Sequence, residues 1–333
     1  MLTLKPATPR NITLFTTLRC NASCENCCNG CRPHRGAAMT YGQMKRYVDK
    51  CLAVYGNTIK TLNLTGGECM LLGKDLEKII AYGTKRGLNV CILSNCFWAT
   101  SYKTAYETLE RLKNLGLRTV CFSSGDDHQK WVPLKNARNA AVAAARLGLN
   151  TELRIEVHCY HASSRPKLEA DKAFMRLVNS RKIDLAYITW MDFSNETDNV
   201  IKGKNRWCPQ REERPCDCLF RSIVISPYGD VYSCAGLSVL RNPYMRLGNI
   251  EHEDISEIYR RNFRDMLKIW LHTRGPINIL KYVHDNSSLW LRWFGNHNCD
   301  ACRTIFSDAK IMNFLRDTSV KWAYTATSRY CML

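Results

Sequence analysis

The chain has no run of about 18 apolar residues, the length that a membrane-spanning helix requires. Its first residues, MLTLKPATPRNITLF, lack an apolar core followed by a small-residue cleavage site, so they do not read as a secretory signal. Repeats, low-complexity tracts and Lys/Arg blocks are also missing. These absences predict a soluble cytoplasmic protein with no membrane partner, in a compartment where thiols stay reduced. Cysteine, by contrast, is abundant, with 18 in 333 residues. A disulfide scaffold is therefore not expected, and metal binding or redox chemistry accounts better for the clustered ones. Cys51, Cys91, Cys121 and Cys159 lie singly in apolar segments and read as small core residues.

The formal net charge is +18, spread along the chain through residues such as Lys45, Arg46, Arg138 and Arg260. No RNA-binding signature accompanies it, so nucleic acid is not the expected partner. A solvated basic surface, an acidic peptide or a small anionic ligand fits the balance equally well.

From residue 11 to about 193, β-branched or apolar runs alternate with helical patterns. The strands read as Asn11–Leu18, Ile59–Leu64, Leu88–Leu93, Arg118–Phe122, Leu153–His158 and Asp184–Thr189. The helices read as Tyr41–Tyr55, Leu72–Arg86, Ser101–Leu115, Val132–Leu147 and Pro166–Ser180, with Gly56, Gly87, Gly116 and Gly148 as stop signals. Such alternation predicts an α/β fold with a parallel sheet or barrel and a ligand at the carboxyl ends of its strands. The polar stretch Asn195–Asn205 reads as a linker. The expected division is a barrel over residues 1–200 and a small Cys-rich domain with C-terminal helices over 206–333. That second region holds Cys208, Cys216 and Cys218, the hairpin-like RSIVISPYGDVYSC, a helical segment (Ile255–Trp293) and Cys299-Asp300-Ala301-Cys302. The segment MLKIWLHTRGPINILKYV, aromatic and basic, is expected to pack on the rest.

Directly after the first predicted strand, Cys20, Cys24 and Cys27 stand in a C-x3-C-x2-C spacing. Zinc sites commonly draw four ligands as two pairs. Three thiolates in one loop suit a [4Fe–4S] cluster with one iron left open. Cys28 is too close to Cys27 to point at the same cluster, and Cys31 lies on the way out of the loop, so both read as non-ligands. At the end of the second strand, Thr65-Gly66-Gly67-Glu68 permits close backbone approach to a ligand.

TLRCNASCENC followed by NLTGGE resembles the radical SAM superfamily. The resemblance implies a partial (β/α)6 barrel in which Cys20, Cys24 and Cys27 hold a [4Fe–4S] cluster. The open iron would chelate S-adenosylmethionine (SAM), Gly66, Gly67 and Glu68 would position its amino group, and Ser123 would approach its ribose. An external one-electron reductant would then drive cleavage to methionine and a 5′-deoxyadenosyl radical, with the protein supplying orientation and exclusion of water. Two departures stand out. Asn26 occupies the position before the third cysteine, where relatives often carry an aromatic residue near the adenine, and Gly125 stands where an Asp is usual. Asp126 is a weaker ribose candidate, and His128 reads as a packing residue.

Cys218-x10-Gly229-x4-Cys234, with Cys299-x2-Cys302, supplies four more thiolates. By spacing alone a structural zinc site fits as well. Beside the first loop, the pattern resembles the twitch form of the SPASM extension, which implies a second, auxiliary [4Fe–4S] cluster on Cys218, Cys234, Cys299 and Cys302. Cys216 competes with Cys218, and Cys208 enters only if another drops out. The resemblance extends over most of the chain to radical SAM epimerases of ribosomal peptides. In those, a cysteine following the hairpin ligand returns hydrogen to the peptide; here that place is Ala235, and Ser222 replaces an Asp. A methyl C–H does not transfer as a thiol S–H does, so the radical must end another way: by hydrogen from Cys69 or Cys96, by a cross-link, or by oxidation. Ordinary packing is the plainer reading of Cys69 and Cys96.

The expected activity is that of a radical SAM maturase of a ribosomal precursor peptide, and an acidic peptide fits the charge balance. No leader-binding domain is expected before residue 20, so the peptide would bind the barrel and twitch surfaces or a separate partner. The alternatives are the same chemistry on a sugar or amino acid, and a non-catalytic zinc or nucleic-acid-binding protein.

Overall fold

The computed structural model describes residues 7–157, 164–189, 191, 193, 214–289, 291 and 297–330. Cys159, Cys208 and the expected linker at 195–205 lie outside them. The chain forms two compact units, one of Asn11–Ser194 with Ile225–Tyr228, the other of Met1–Arg10, Asn195–Val224 and Gly229–Leu333.

The first unit follows the strand–helix alternation: β1 (Asn11–Thr17), α1 (Tyr41–Tyr55), β2 (Thr61–Gly66), α2 (Lys74–Lys85), β3 (Asn89–Ser94), α3 (Tyr102–Asn114), β4 (Thr119–Gly125), α4 (Asp126–Gln129), α5 (Leu134–Arg146), β5 (Asn150–Val157), α6 (Ser164–Glu169), α7 (Lys172–Asn179) and β6 (Asp184–Thr189). Its strands run in the order β6-β5-β4-β3-β2-β1, and every neighbouring pair is parallel. The α/β fold with a parallel (β/α)6 core is thus as expected. Leu14, Leu64, Ile92 and Val120 line up across four strands and are fully buried. The alternate positions form a polar face, as the period of two demands. There Asn63 donates to the Thr13 hydroxyl at 3.2 Å, and Cys91 and Cys121 lie near Glu152 and Arg154. Two predicted helices break. Gly73, at φ 52°, separates a 3-10 turn (Cys69–Leu72) from α2. Asp171 starts α7 afresh by accepting from the amides of Ala173 and Phe174.

The second unit contains β7 (Leu219–Ile225), β8 (Asp230–Cys234) and β9 (Arg246–Asn249), adjacent in that order, with β8 and β9 antiparallel. Gly229, at φ 81°, turns the chain into β8. Helices follow: α8 (Ile255–Arg260), α9 (Met266–Arg274), α10 (Pro276–Asn286), α11 (Asn298–Ser307), α12 (Ala309–Asp317) and α13 (Ser319–Tyr330). Trp270 of α9 stacks on Trp322 of α13 at 4.7 Å between ring centroids. This buries the aromatic segment by packing. Among the described residues no helix is long and apolar enough to cross a membrane.

Asp171 also pairs with Arg138 at 2.6 Å, and that contact, with the Phe174 amide, holds its carboxyl below the usual range. A depressed folded pKa stabilises above the unfolded value and is lost as pH falls through the folded one. Asp171→Ala is expected to cost about 1 kcal/mol. In urea titrations, the gap from the wild type should be full at neutral pH and shrink as the pH falls below the unfolded aspartate value of about 3.9.

Candidate metal centres

The loop after β1 carries Cys20, Cys24 and Cys27, and β2 delivers Gly66 and Gly67 against its entry. The Gly67 amide donates to Thr17 O at 2.7 Å and the Glu68 amide to Arg19 O at 2.9 Å. A Cβ on Gly66 would lie 2.2 Å from Thr17 O, and one on Gly67 2.0 Å from Arg19 O. Neither position has room for any side chain, and Gly66 sits at φ 136° besides. The glycine pair is thus required by the protein's own backbone at the root of the loop.

Glu68 is fully buried. One carboxylate oxygen accepts from the Met70 amide at 3.0 Å, the other from the Asn95 amide at 2.8 Å. Burial pushes its pKa up to about 7 despite these bonds. Asn95, just past β3, donates through Nδ2 to Asn21 Oδ1 at 2.9 Å and reaches Cys20 Sγ at 3.6 Å. A buried chain of polar contacts therefore runs from Glu68 through Asn95 to the first cysteine.

The loop is further bound by its own groups. The Ala22 amide donates to Cys20 Sγ at 3.4 Å and the Cys31 amide to Cys27 Sγ at 3.3 Å. Arg32 donates to Cys24 O at 2.6 Å. Burial drives the Cys20 thiol up to about 11 and Cys24 to about 12. Cys27 moves down, held as a thiolate by the Cys31 thiol, whose own proton becomes correspondingly harder to remove. Cys31 is buried, so it serves the loop as a donor to a ligand sulfur. Amide-to-sulfur bonds and mutually repelling thiols suit a donor set that waits for a positive centre. Among the described residues, no three His, Cys, Asp or Glu side chains gather as a single metal ion would need.

Asn26 has a role that its sequence position did not suggest. It is buried, and its Nδ2 donates to Met191 O at 2.5 Å while its Oδ1 accepts from the Phe193 amide. Residues 191 and 193 follow β6, at the other end of the six-strand order from β1. One side-chain amide thus pairs with main chain like a short ladder and ties the cysteine loop to the far strand. Ser123 stands beside Arg154 of β5 in the register. Gly125 is explained by crowding, since its Cβ would meet Glu156 Cβ at 2.7 Å. The acid at this level therefore comes from β5. The buried Glu156 carboxylate lies 3.1 Å from His128 Nδ1, in ion-pair range without hydrogen-bond alignment. Burial works against the His128 charge, but Glu156 outweighs it and the pKa rises. The packing expected of His128 is accompanied by this charge contact. Asp126 opens α4 beside it. Cys69 and Cys96 are fully buried, with Cys69 Sγ donating to Leu93 O at 3.2 Å and Cys96 Sγ near Ser94 O at 3.7 Å.

In the second unit, Cys216, Cys218, Cys234, Cys299 and Cys302 line one pocket. Cys234 ends β8, and Cys299 and Cys302 occupy the first turns of α11. Main-chain amides of Gly236, Leu237 and Ser238 point at the sulfurs of Cys234 and Cys299. Burial nonetheless pushes those thiols up to about 12 and about 11. Cys216 is anchored by α9, its amide donating to Leu271 O at 3.1 Å, and its thiol supports a lowered Cys218. The structure thus brings the competing Cys216 into the same pocket as the four expected ligands.

Residues 216–278 match the SPASM iron–sulfur cluster-binding domain. The matched stretch lies in the second unit and includes Cys216, Cys218 and Cys234. A Bacillus subtilis (strain 168) protein named for peptide biosynthesis, YydG, is 20% identical over 311 residues, 92% of this chain and 94% of YydG. The antilisterial bacteriocin subtilosin biosynthesis protein AlbA, of the same organism, is 23% identical over 290 residues, 79% of this chain. The match spans only 61% of AlbA. Among solved structures, anSMEcpe with bound AdoMet superposes with a TM-score of 0.56 over 93% of this chain and 100% of its own, at 15% identity. That likeness shows the fold.

Two variants probe this geometry. Gly67→Ala should prevent the β2–loop contact, and iron–sulfur reconstitution followed by visible absorption should show loss of the first centre with the second retained. Asn26→Ala should cost on the order of 2 kcal/mol. Hydrogen exchange should accelerate at the Phe193 amide while the amides of β4 and β5 stay protected.

Proposed function

We propose that this chain is a radical SAM protein that matures a ribosomally made precursor peptide, and that an external one-electron reductant feeds it. One observation carries the reading: a three-cysteine loop rooted on Gly66–Gly67, in a chain whose second unit matches an iron–sulfur cluster-binding domain. The names of YydG and AlbA, both tied to peptide biosynthesis, support the substrate class.

Cys20, Cys24 and Cys27 would hold one [4Fe–4S] cluster, and Cys218, Cys234, Cys299 and Cys302 an auxiliary one, with Cys216 as spare. Cluster and SAM together would supply the radical that takes hydrogen from a peptide carbon. Gly66 and Gly67 hold the end of β2 against the root of the cysteine loop, where they would position the SAM amino group with Glu68, and Ser123 offers a hydroxyl. Glu68 acts beneath them, fixing the ends of β2 and β3 to one another. His128 and Glu156 pair beside them, tying α4 to β5.

Product type turns on the hydrogen supply. Ala235 offers only a methyl, and the thiols of Cys69 and Cys96 are turned to carbonyls inside the core. A donor role for either needs that contact to break. Net oxidation balances without a donor: a cluster held by Cys218, Cys234, Cys299 and Cys302 would supply the acceptor for one electron from the peptide radical, and a proton would leave as a cross-link or double bond forms.

The test is anaerobic reconstituted protein with SAM, dithionite and a candidate precursor peptide in deuterated water. A peptide lighter by about two mass units supports oxidation, and a gain of about one establishes epimerisation instead. Cys24→Ala should abolish 5′-deoxyadenosine formation; its persistence would sink the assignment.

A further inference from the structure

On the helical side of the first unit, α3, α5 and α7 enclose a cavity of about 290 Å³. Its floor is a single stripe of α5, Arg138, Val142 and Arg146, each four residues apart. Tyr102 of α3 forms one wall, and Ala173, Arg176 and Leu177 of α7 the other. Three arginines therefore line one trench, and the one carboxylate paired with any of them among the described residues is Asp171, on Arg138.

Two of the three are held in place. Arg146 lies over the Tyr102 ring at 5.2 Å from its centroid, which fixes its plane and leaves its N–H edge to a ligand. Arg138 is pinned by Asp171 at 2.6 Å, itself fixed as the cap of α7. Arg146 and Arg176 are exposed, and among the described residues no carboxylate pairs with either. Elsewhere, exposed arginines such as Arg86, Arg111, Arg165 and Arg261 do have such partners. Planar, pre-oriented guanidiniums bind carboxylates in a bidentate way and lose little freedom on doing so.

We infer that this trench is a docking site for an acidic segment of the peptide substrate, away from the reacting residue. Arg138 and Arg146 are about 12 Å apart along the helix axis. An extended peptide covers that distance in about four residues. Acidic residues four apart would place one carboxylate on each arginine and lay intervening side chains on Val142 and Leu177. The formal charge of +18 adds long-range attraction of the same sign. The inference rests on the maturase reading for the identity of the peptide, but its test does not depend on turnover.

Fluorescence anisotropy of a labelled synthetic peptide with glutamates four residues apart measures the binding. A glutamine version and a labelled oligo-dT strand serve as the comparison ligands. Arg146→Glu with Arg176→Glu should weaken the glutamate peptide by about tenfold or more. Lys85→Glu with Lys321→Glu, the same charge change outside the trench, should weaken it less than about twofold, as a screened long-range effect. Equal losses in both pairs would overturn the site in favour of bulk attraction. Oligo-dT binding that is lost in the arginine pair alone, with no glutamate-peptide binding, would overturn the ligand class. Both arginines are exposed, so the variants should fold, which circular dichroism checks. Unchanged 5′-deoxyadenosine formation in the arginine pair separates a failure of docking from a failure of the radical chemistry.

Discussion

The rest of the first unit depends on how closely the Gly66–Gly67 backbone approaches residues 17–20. Main-chain carbonyls of Thr17 and Arg19 lie where Cβ atoms would otherwise stand. In return they accept the amides of Gly67 and Glu68, so the strand ladder continues past the end of β2 into the cysteine loop. This sets the position of Cys20 before any cofactor arrives. It also forces Glu68 inward, where a carboxylate is tolerable only because two amides meet it. Asn95 then links that buried acid to the sulfur of Cys20. Loop, β2 and β3 form one unit, and a metal centre there would be seated on backbone rather than on flexible side chains.

A second constraint acts from the far side. An open parallel sheet has two ends, and Asn26 brings the loop of β1 to the segment beyond β6. An aromatic side chain at this position could pack but could not satisfy a carbonyl and an amide together. Lys130, just past α4, also reaches Glu25 of the same loop at 3.2 Å, and the His128–Glu156 contact ties α4 to β5. Cys20 and Cys24, raised by burial, are left dependent on a positive centre for their ionised form, whereas Cys27 is lowered by the Cys31 thiol.

The sequence made the six strands, the cysteine loops and the glycine pair legible because each depends on local period or spacing. What it hid depends on contacts between distant positions. Asn26 and Phe193 are 167 residues apart, and no local pattern marks such a pair. Gly125 looked like a missing acid until the crowding by Glu156 on the next strand showed why a side chain is excluded. Cys91 and Cys121 were read as core from their apolar neighbours. They are indeed buried, but on the polar face, because strand alternation and not neighbour identity decides the side. The break at Asp171 was missed for a similar reason. A capping aspartate inside a long helical pattern announces itself only through the amides it accepts.

The second unit turns on its small residues. A Cβ on Gly236 would meet the sulfur of Cys299 at 3.1 Å and that of Cys234 at 3.5 Å, so the chain after β8 passes directly over two of the pocket's cysteine sulfurs. The same passage aims the amides of Gly236, Leu237 and Ser238 at those sulfurs. Amide-to-sulfur bonds favour the charged, reduced form of such a centre and so raise its readiness to take an electron. Ala235 stands at the start of this passage with no group able to give hydrogen. A segment that solvates sulfur with backbone and carries no thiol of its own is suited to receiving electrons, and less to returning hydrogen atoms. Ala235 and the three amides after it therefore act together: a cluster bound in this pocket would find backbone donors beside it and no neighbouring thiol at position 235.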